Sequence, residues 1–130
     1  MTLTLYAATA AVFLILDAIM LTLVMKPLFT RHIGPLMAEP IRIAPAALFY
    51  LAYVAGLVYL VSLPALKTGS PVVLPALIIG LMAYGTYEFT SWSIMKDWHW
   101  TMVLTDVTWG GVLTAFSAWA GVTITRMFHG

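Results

Sequence analysis

Four long apolar stretches divide the chain, and each is long enough to cross a lipid bilayer as a helix. A helix needs about 20 apolar residues to span the hydrocarbon. The predicted spans cover approximately residues 3–25, 45–66, 71–95 and 98–124. This pattern predicts an all-α integral membrane protein: a single transmembrane domain, residues 1–130, built as a bundle of four transmembrane helices.

Charged residues and prolines mark the ends of these stretches. The first span is expected to end at Lys26-Pro27, where a charge is followed by a residue that interrupts helices. Lys96 and Asp97 predict a tight hairpin between the third and fourth spans. The longest connection, residues 26–44, mixes basic and apolar side chains, which predicts a short interfacial segment between helices 1 and 2.

The composition supports the same class of protein. Apolar residues make up 62% of the chain and charged residues 8%, against about 25% in soluble domains. The lipid bilayer is therefore the expected partner. A net charge of +1 excludes strong attraction to nucleic acid, and the absence of cysteine excludes disulfides, thiolate metal sites and cysteine nucleophiles.

Three carboxylic acids, Asp17, Glu88 and Asp106, lie inside the predicted spans. A charged side chain at the centre of a bilayer costs roughly 2.5–3.5 kcal/mol on insertion scales. Such groups persist where they are neutralised, paired or turned towards a cavity, and they commonly mark a binding site or an ion pathway. Interhelical pairing alone is the structural alternative.

The spacing of the acids predicts that they share one depth. Asp17 is nine residues before Lys26, Glu88 is eight before Lys96, and Asp106 is ten after Lys96. At 1.5 Å per residue these offsets correspond to roughly 12–15 Å. We therefore expect an intramembrane polar layer near the middle of the bilayer.

Hydroxyl groups on neighbouring spans are candidates to complete this binding layer. They are Tyr84, Thr90, Ser91, Tyr50 and Tyr53. The face around Asp17 offers no polar partner of its own, so we expect its partner on the second or third span. The candidates for that contact are Tyr50, Tyr53, Tyr59, Tyr84 and Thr90.

A stripe of small residues follows Asp106 at helical spacing. Its members are Gly110, Thr114, Ser117 and Gly121. Small side chains let helices approach closely in a membrane, and hydroxyls bond across the contact. Asp106 is therefore expected to face protein.

We predict no catalytic residues, no cofactor and no metal site. The three histidines, His32, His99 and His129, fall in loops or at helix ends, outside the bundle where an axial haem ligand would have to lie. No phosphate loop, catalytic triad or zinc-protease motif is present in the sequence.

Four segments resemble a bacterial family of small predicted membrane proteins classed as domain of unknown function 2177. The segments are residues 84–91 (YGTYEFTS), 105–110 (TDVTWG), 16–18 (LDA) and 49–56 (FYLAYVAG). The resemblance extends over nearly the whole chain and implies an inner-membrane protein of four helices with no established activity. In that family the first acid of the pair is usually Asp followed by Leu-Thr-Asn, whereas this chain has Glu88 followed by Phe-Thr-Ser.

Three functions remain open from the residues. The first is a small-molecule or proton-coupled carrier or binding protein that uses the carboxyl layer, working as a homodimer because four helices are few for a complete path. The second is a membrane-embedded enzyme or accessory factor for lipid-phase substrates. The lack of an evident nucleophile or metal weighs against an enzyme. The third is a structural subunit of a larger membrane complex. None of these names the ligand.

The distribution of basic residues predicts the orientation in the membrane. Loops 1–2 and 3–4 carry four basic residues against two on the other side: Lys26, Arg31, Arg42 and Lys96 against Lys67 and Arg126. Cytoplasmic loops are enriched in Lys and Arg. We expect a multi-pass protein of the bacterial inner membrane with these two loops cytoplasmic and both termini periplasmic.

Overall fold

The computed structural model describes residues 1–37 and 43–129, and these residues form helices and turns without any β-strand. Four of the helices are long and apolar enough to cross a membrane: Thr2–Leu36, Ala44–Thr68, Val73–Ile94 and Trp100–His129. We number them as spans one to four. The predicted all-α architecture with four candidate membrane helices is confirmed.

The first span continues through the proline at which we expected it to end. Helix α1 (Thr2–Met20) leads through a π-helical turn (Leu21–Met25) into α2 (Lys26–Ile33). A proline ring inside a helix collides with the carbonyl four residues earlier. For Pro27 that carbonyl belongs to Leu23, which lies in the wider π turn, so the helical path continues.

The second span repeats this arrangement. Helix α3 (Ile43–Leu57) passes through a π-helical turn (Val58–Ser62) into α4 (Leu63–Thr68), which has Pro64 at its second position. The helix ends at Gly69, whose φ of 73° is the left-handed conformation that glycine adopts most readily.

The connection between the first two spans is only partly described. Residues 26–36 of the predicted interfacial segment are helical and extend the first span. A helix of 35 residues is about 52 Å long, whereas the hydrocarbon is about 30 Å thick. Its basic end therefore extends beyond the hydrocarbon. Residues 38–42 of the predicted segment lie outside the described residues.

The fourth span is the central helix of the bundle. In its most apolar stretch of 18 residues, helix α6 (Trp100–His129) is 56% buried, whereas the third span, α5 (Val73–Ile94), is 17% buried in the corresponding stretch. It makes its most extensive contact with α5 and its next with α1. The helices that carry Asp17 and Glu88, α1 and α5, thus both pack on α6, which carries Asp106.

The predicted small-residue stripe allows this close packing, and all four of its members are buried. A Cβ atom added to Gly80 of α5 would lie 2.5 Å from the carbonyl oxygen of Gly110. A Cβ on Gly110 would overlap the ring of Tyr84, and one on Gly121 would overlap the side chain of Thr9 in α1. The stripe therefore contacts both neighbouring helices.

The α5–α6 hairpin, with its turn at Lys96-Asp97, packs against the extended end of the first span. The ring of Phe29 meets that of Trp98 edge-on, with centroids 5.2 Å apart. The imidazoles of His32 and His99 stack 4.3 Å apart. These contacts hold Trp98 in the interior of the protein, where it is 7% exposed.

Candidate functional site

Asp17 lies in the last turn of α1 and is only 3% exposed. The indole nitrogen of Trp109, on α6, donates a hydrogen bond of 3.1 Å to its Oδ1 atom. The hydroxyl of Tyr50, on α3, lies beside the same carboxyl group. The Oδ2 atom is buried and has no hydrogen-bond partner among the described residues.

The prediction of the partner of Asp17 is therefore only partly right. Asp17 does reach across to another helix, and Tyr50 was one of the expected neighbours. The hydrogen bond itself comes from Trp109 of the fourth span, which we did not consider. An indole N–H is a donor that needs an acceptor when it is buried. Tyr59, another candidate, is 73% exposed.

Glu88 is fully buried on α5. The indole nitrogen of Trp98 donates a hydrogen bond of 3.0 Å to its Oε1 atom. Its Oε2 atom is enclosed without a hydrogen-bond partner in the described part of the chain. The ring of Tyr87 meets that of Trp98 nearly at right angles, with centroids 5.9 Å apart, and so covers this contact.

Asp106 joins the two other acids into one group. Its carboxyl lies beside that of Glu88, within electrostatic range of Asp17. It is partly exposed, whereas the other two acids are buried. We call Asp17, Glu88 and Asp106 the carboxyl cluster. Within the described residues, two indoles donate hydrogen bonds to this cluster, and neither indole is a cation.

Two of the predicted tyrosines complete the surroundings of the cluster. Tyr84 packs its ring against Gly110, and its hydroxyl is buried without a hydrogen-bond partner within the described residues. Tyr53 shares a hydrogen bond of 3.0 Å with Thr114 of α6. The two rings meet edge-on with centroids 6.5 Å apart, so the tyrosines form a continuous contact between α3, α5 and α6.

Thr90 and Ser91 are not brought to the cluster in the same way. Thr90 is exposed on α5, and Ser91 is partly exposed. The carbonyl of Ser91 accepts the hydrogen bond of 2.8 Å from Met95 that closes the end of α5. Their place in a binding layer is still a prediction from spacing alone.

Sequence reasoning missed both tryptophans that bond to the acids. Trp98 directly follows the predicted hairpin of Lys96 and Asp97, and this position does not indicate a buried indole. Trp109 follows Asp106 by three residues within the Asp-x-x-Trp-Gly element, and this spacing was the available signal. This spacing places the side chains of Asp106 and Trp109 on neighbouring faces of α6. One helix therefore supplies both an acid and the hydrogen-bond donor for Asp17.

The described residues contain no group of three or more His, Asp or Glu side chains arranged to hold a metal ion. The carboxyl cluster brings carboxyl groups from three helices together, but not in the geometry of a preformed metal site. Its chemistry is that of acids held in apolar surroundings by neutral donors.

Comparison with protein families agrees with the fold. Residues 2–123 match the model of a family described as a predicted membrane protein, DUF2177. The chain belongs to this family. Neither a curated protein nor a solved structure matches it. The description of DUF2177 includes no activity. Membership therefore supports the membrane architecture, and the role of the carboxyl cluster has to be argued from its geometry.

Proposed function

We propose that this DUF2177 protein binds a proton or a small cation at the carboxyl cluster and works as a proton-coupled membrane carrier. One observation carries the proposal. Two carboxyl groups on different helices, Asp17 and Glu88, each bury an oxygen atom that has no hydrogen-bond partner among the described residues.

Electrostatics favour a positively charged or proton ligand. A carboxylate transferred from water into an apolar site loses its hydration, and this cost falls when the group is neutralised or paired. Three acids in one cluster add mutual repulsion to that cost. The indoles of Trp98 and Trp109 each supply one hydrogen bond but no positive charge, so a proton or a cation is what the cluster lacks.

The packing around the cluster favours a small ligand. The ring of Tyr84 fills the space above Gly110, where a single added Cβ would overlap it. Helices α5 and α6 approach so closely at Gly80 that a Cβ there would meet backbone atoms. Close packing of this kind along α5 and α6 favours a ligand of atomic size.

The test is to replace each acid by its amide in the protein reconstituted into lipid nanodiscs. The variants are Asp17→Asn, Glu88→Gln and Asp106→Asn, with Asp97→Asn of the exposed hairpin as the matched control. Proton binding is followed as the carboxyl stretching band in infrared spectra recorded across a pH series. Cation binding is followed with radioactive sodium.

We expect the Glu88 and Asp17 variants to lose the pH-dependent band or the saturable sodium binding, and the Asp97 control to keep both. The band identifies the proton as the ligand, and sodium binding identifies the small cation. If all three amide variants retain the band and the sodium binding of the unmodified protein, the proposal is wrong.

We place the protein in the bacterial inner membrane with loops 1–2 and 3–4 on the cytoplasmic side, as the basic residues predict. We also retain the homodimer as part of this proposal. A carrier has to expose its site to each side in turn, and four helices give little surface for this movement within one copy.

A further inference from the structure

The two helices of the α5–α6 hairpin pack in a regular register. A Cβ atom added to Gly80 would lie 2.8 Å from the hydroxyl oxygen of Thr114, and one added to Gly110 would overlap the ring of Tyr84. From the first pair to the second, each helix advances four residues towards the hairpin turn, which is about one helical turn. The same sides of the two helices therefore face each other as the chain approaches the turn.

The next pair in this register is Glu88 on α5 and Asp106 on α6. Each is four residues nearer the turn than its predecessor, Tyr84 or Gly110, so the two carboxyl groups are placed opposite each other. The structure has these carboxyl groups side by side. Their contact therefore follows from the packing of the helices and not from side-chain conformation alone.

The hydrogen bonding of this pair is incomplete without a proton. Oε1 of Glu88 accepts the indole N–H of Trp98, whereas Oε2 is buried without a partner among the described residues. An ionised carboxyl group only accepts hydrogen bonds, so two ionised groups side by side repel each other and form no bond. A single proton on Oε2 removes the repulsion, because the O–H of Glu88 then donates to the carboxylate of Asp106.

Burial decides which of the two acids is neutral. Glu88 is fully buried and Asp106 is partly exposed, so a charge costs more on Glu88. The other titratable groups that face the pair come from α1, α3 and α5: Asp17, Tyr50, Tyr84 and Tyr87. These side chains carry no positive charge in any protonation state, so they do not compensate a second negative charge.

From these observations, which rest on the proposed function, we infer that the ligand of the carboxyl cluster is a proton, held between Oε2 of Glu88 and the carboxylate of Asp106. Glu88 is the neutral acid and Asp106 is the charged acceptor. Hard metal cations such as Ca²⁺ and Mg²⁺ take about six or more oxygen ligands. The described residues hold no group of three or more His, Asp or Glu side chains arranged for a metal ion, whereas a shared proton needs only two oxygen atoms.

Infrared spectroscopy of the protein in nanodiscs of ether-linked lipid tests this inference, because such lipid has no ester carbonyl to mask the band of a protonated carboxyl group. Difference spectra between the unmodified protein and Glu88→Gln or Asp106→Asn isolate the contribution of each acid. Asp97→Asn of the exposed hairpin is the matched control. SDS titration followed by circular dichroism measures the stability of each variant.

At neutral pH we expect the unmodified protein to show a protonated carboxyl band that Glu88→Gln removes and Asp97→Asn leaves unchanged. Asp106→Asn should keep this band but shift it to higher frequency, because a hydrogen bond to a neutral amide is weaker than one to a carboxylate. Replacing choline chloride by sodium chloride should leave the band unchanged. Glu88→Gln should unfold at the same SDS concentration as the unmodified protein, because its amide N–H donates to Asp106 in place of the acid O–H.

The inference is overturned if the unmodified protein lacks the band at neutral pH, if Glu88→Gln keeps it, or if Asp106→Asn leaves its frequency unchanged. Loss of the band in sodium chloride also overturns it, because sodium would then displace the proton. Unfolding of Glu88→Gln at a lower SDS concentration does so too, because Glu88 would then be needed as an anion. Each of these results leaves the proposed function standing if the amide variants still lose proton or sodium binding. Retention of proton and sodium binding by all three amide variants refutes the proposed function instead.

Discussion

Each buried acid among the described residues accepts a hydrogen bond from a tryptophan. Trp98 bonds to Glu88 and Trp109 bonds to Asp17, with donor–acceptor distances of 3.0 and 3.1 Å. An indole donates one hydrogen bond, carries no charge and tolerates apolar surroundings. It can hold a carboxyl group in position without neutralising it. In the proposed function this leaves the acid available to take up a proton or a cation.

Removing the indole donor should destabilise the protein at Glu88. In Trp98→Phe the Oε1 atom loses its donor, so neither oxygen of this fully buried carboxyl group has a hydrogen-bond partner within the described residues. We expect a loss of about 1–3 kcal/mol in the free energy of unfolding, the usual cost of an orphaned buried polar group. The measurement is denaturation by SDS in mixed micelles, followed by circular dichroism.

Trp92→Phe provides the matched control for this prediction. Trp92 is 44% exposed on α5, where its ring packs beside Phe89. Its replacement should change the free energy of unfolding by much less than that of Trp98. Equal losses in the two variants would show that the Trp98 bond contributes nothing specific.

The sequence was informative about which acids matter and on which helices they lie, because a carboxyl group in an apolar span is conspicuous. It was uninformative about their donors. Trp109 is separated from Asp17 by 92 positions, and the burial of Trp98 depends on Phe29 from a distant helix. Such contacts follow from tertiary packing, which no local pattern records.

At the scale of helices, α5 and α6 approach each other closely at Gly80 and Gly110. The added Cβ would lie 2.5 Å from a backbone carbonyl oxygen, which cannot rotate away. We expect Gly80→Ala to cost about 1–3 kcal/mol in the free energy of unfolding, as overpacking does. SDS titration of the purified variant measures this cost.

Gly85→Ala is the control on the same helix. Nothing lies within 4 Å of a Cβ added there. Alanine favours a helix over glycine by about 1 kcal/mol, so this variant should be unchanged or slightly more stable. A stable Gly80 variant would show that the two helices do not need this contact.

The small-residue stripe could be read from spacing, but the length of the first helix could not. A proline after a lysine is a reasonable place to end a helix. The π turn at Leu21–Met25 contains the carbonyl with which the ring of Pro27 would collide in an α-helix, so the helix continues past the proline. Pro64 follows the π turn at Val58–Ser62 in the same way. Since these turns use ordinary apolar residues, their sequence does not distinguish them from an α-helix.

For the whole molecule, the structure places Arg31 and Lys96 at one end of the described bundle and Thr4 and His129 at the other. His32 of the first span stacks on His99 of the hairpin, so Arg31 and Lys96 belong to the same end. At the opposite end the side chains of Thr4 and His129 share a hydrogen bond of 3.0 Å. Which end is cytoplasmic depends on the basic residues, four against two in the sequence.

Fusing alkaline phosphatase or a fluorescent protein to the C-terminus measures this orientation in bacteria. We expect an active phosphatase and a dark fluorescent fusion, because the end with more Lys and Arg stays in the cytoplasm.

Adding two lysines to the second connection, Thr68→Lys with Ser70→Lys, makes the number of basic residues equal on the two sides. Both reporters should then be partly active. Ser93→Lys adds a charge near the hairpin instead and should leave the phosphatase fully active. A bright fluorescent fusion of the unmodified chain would show that the orientation is the opposite of the one expected.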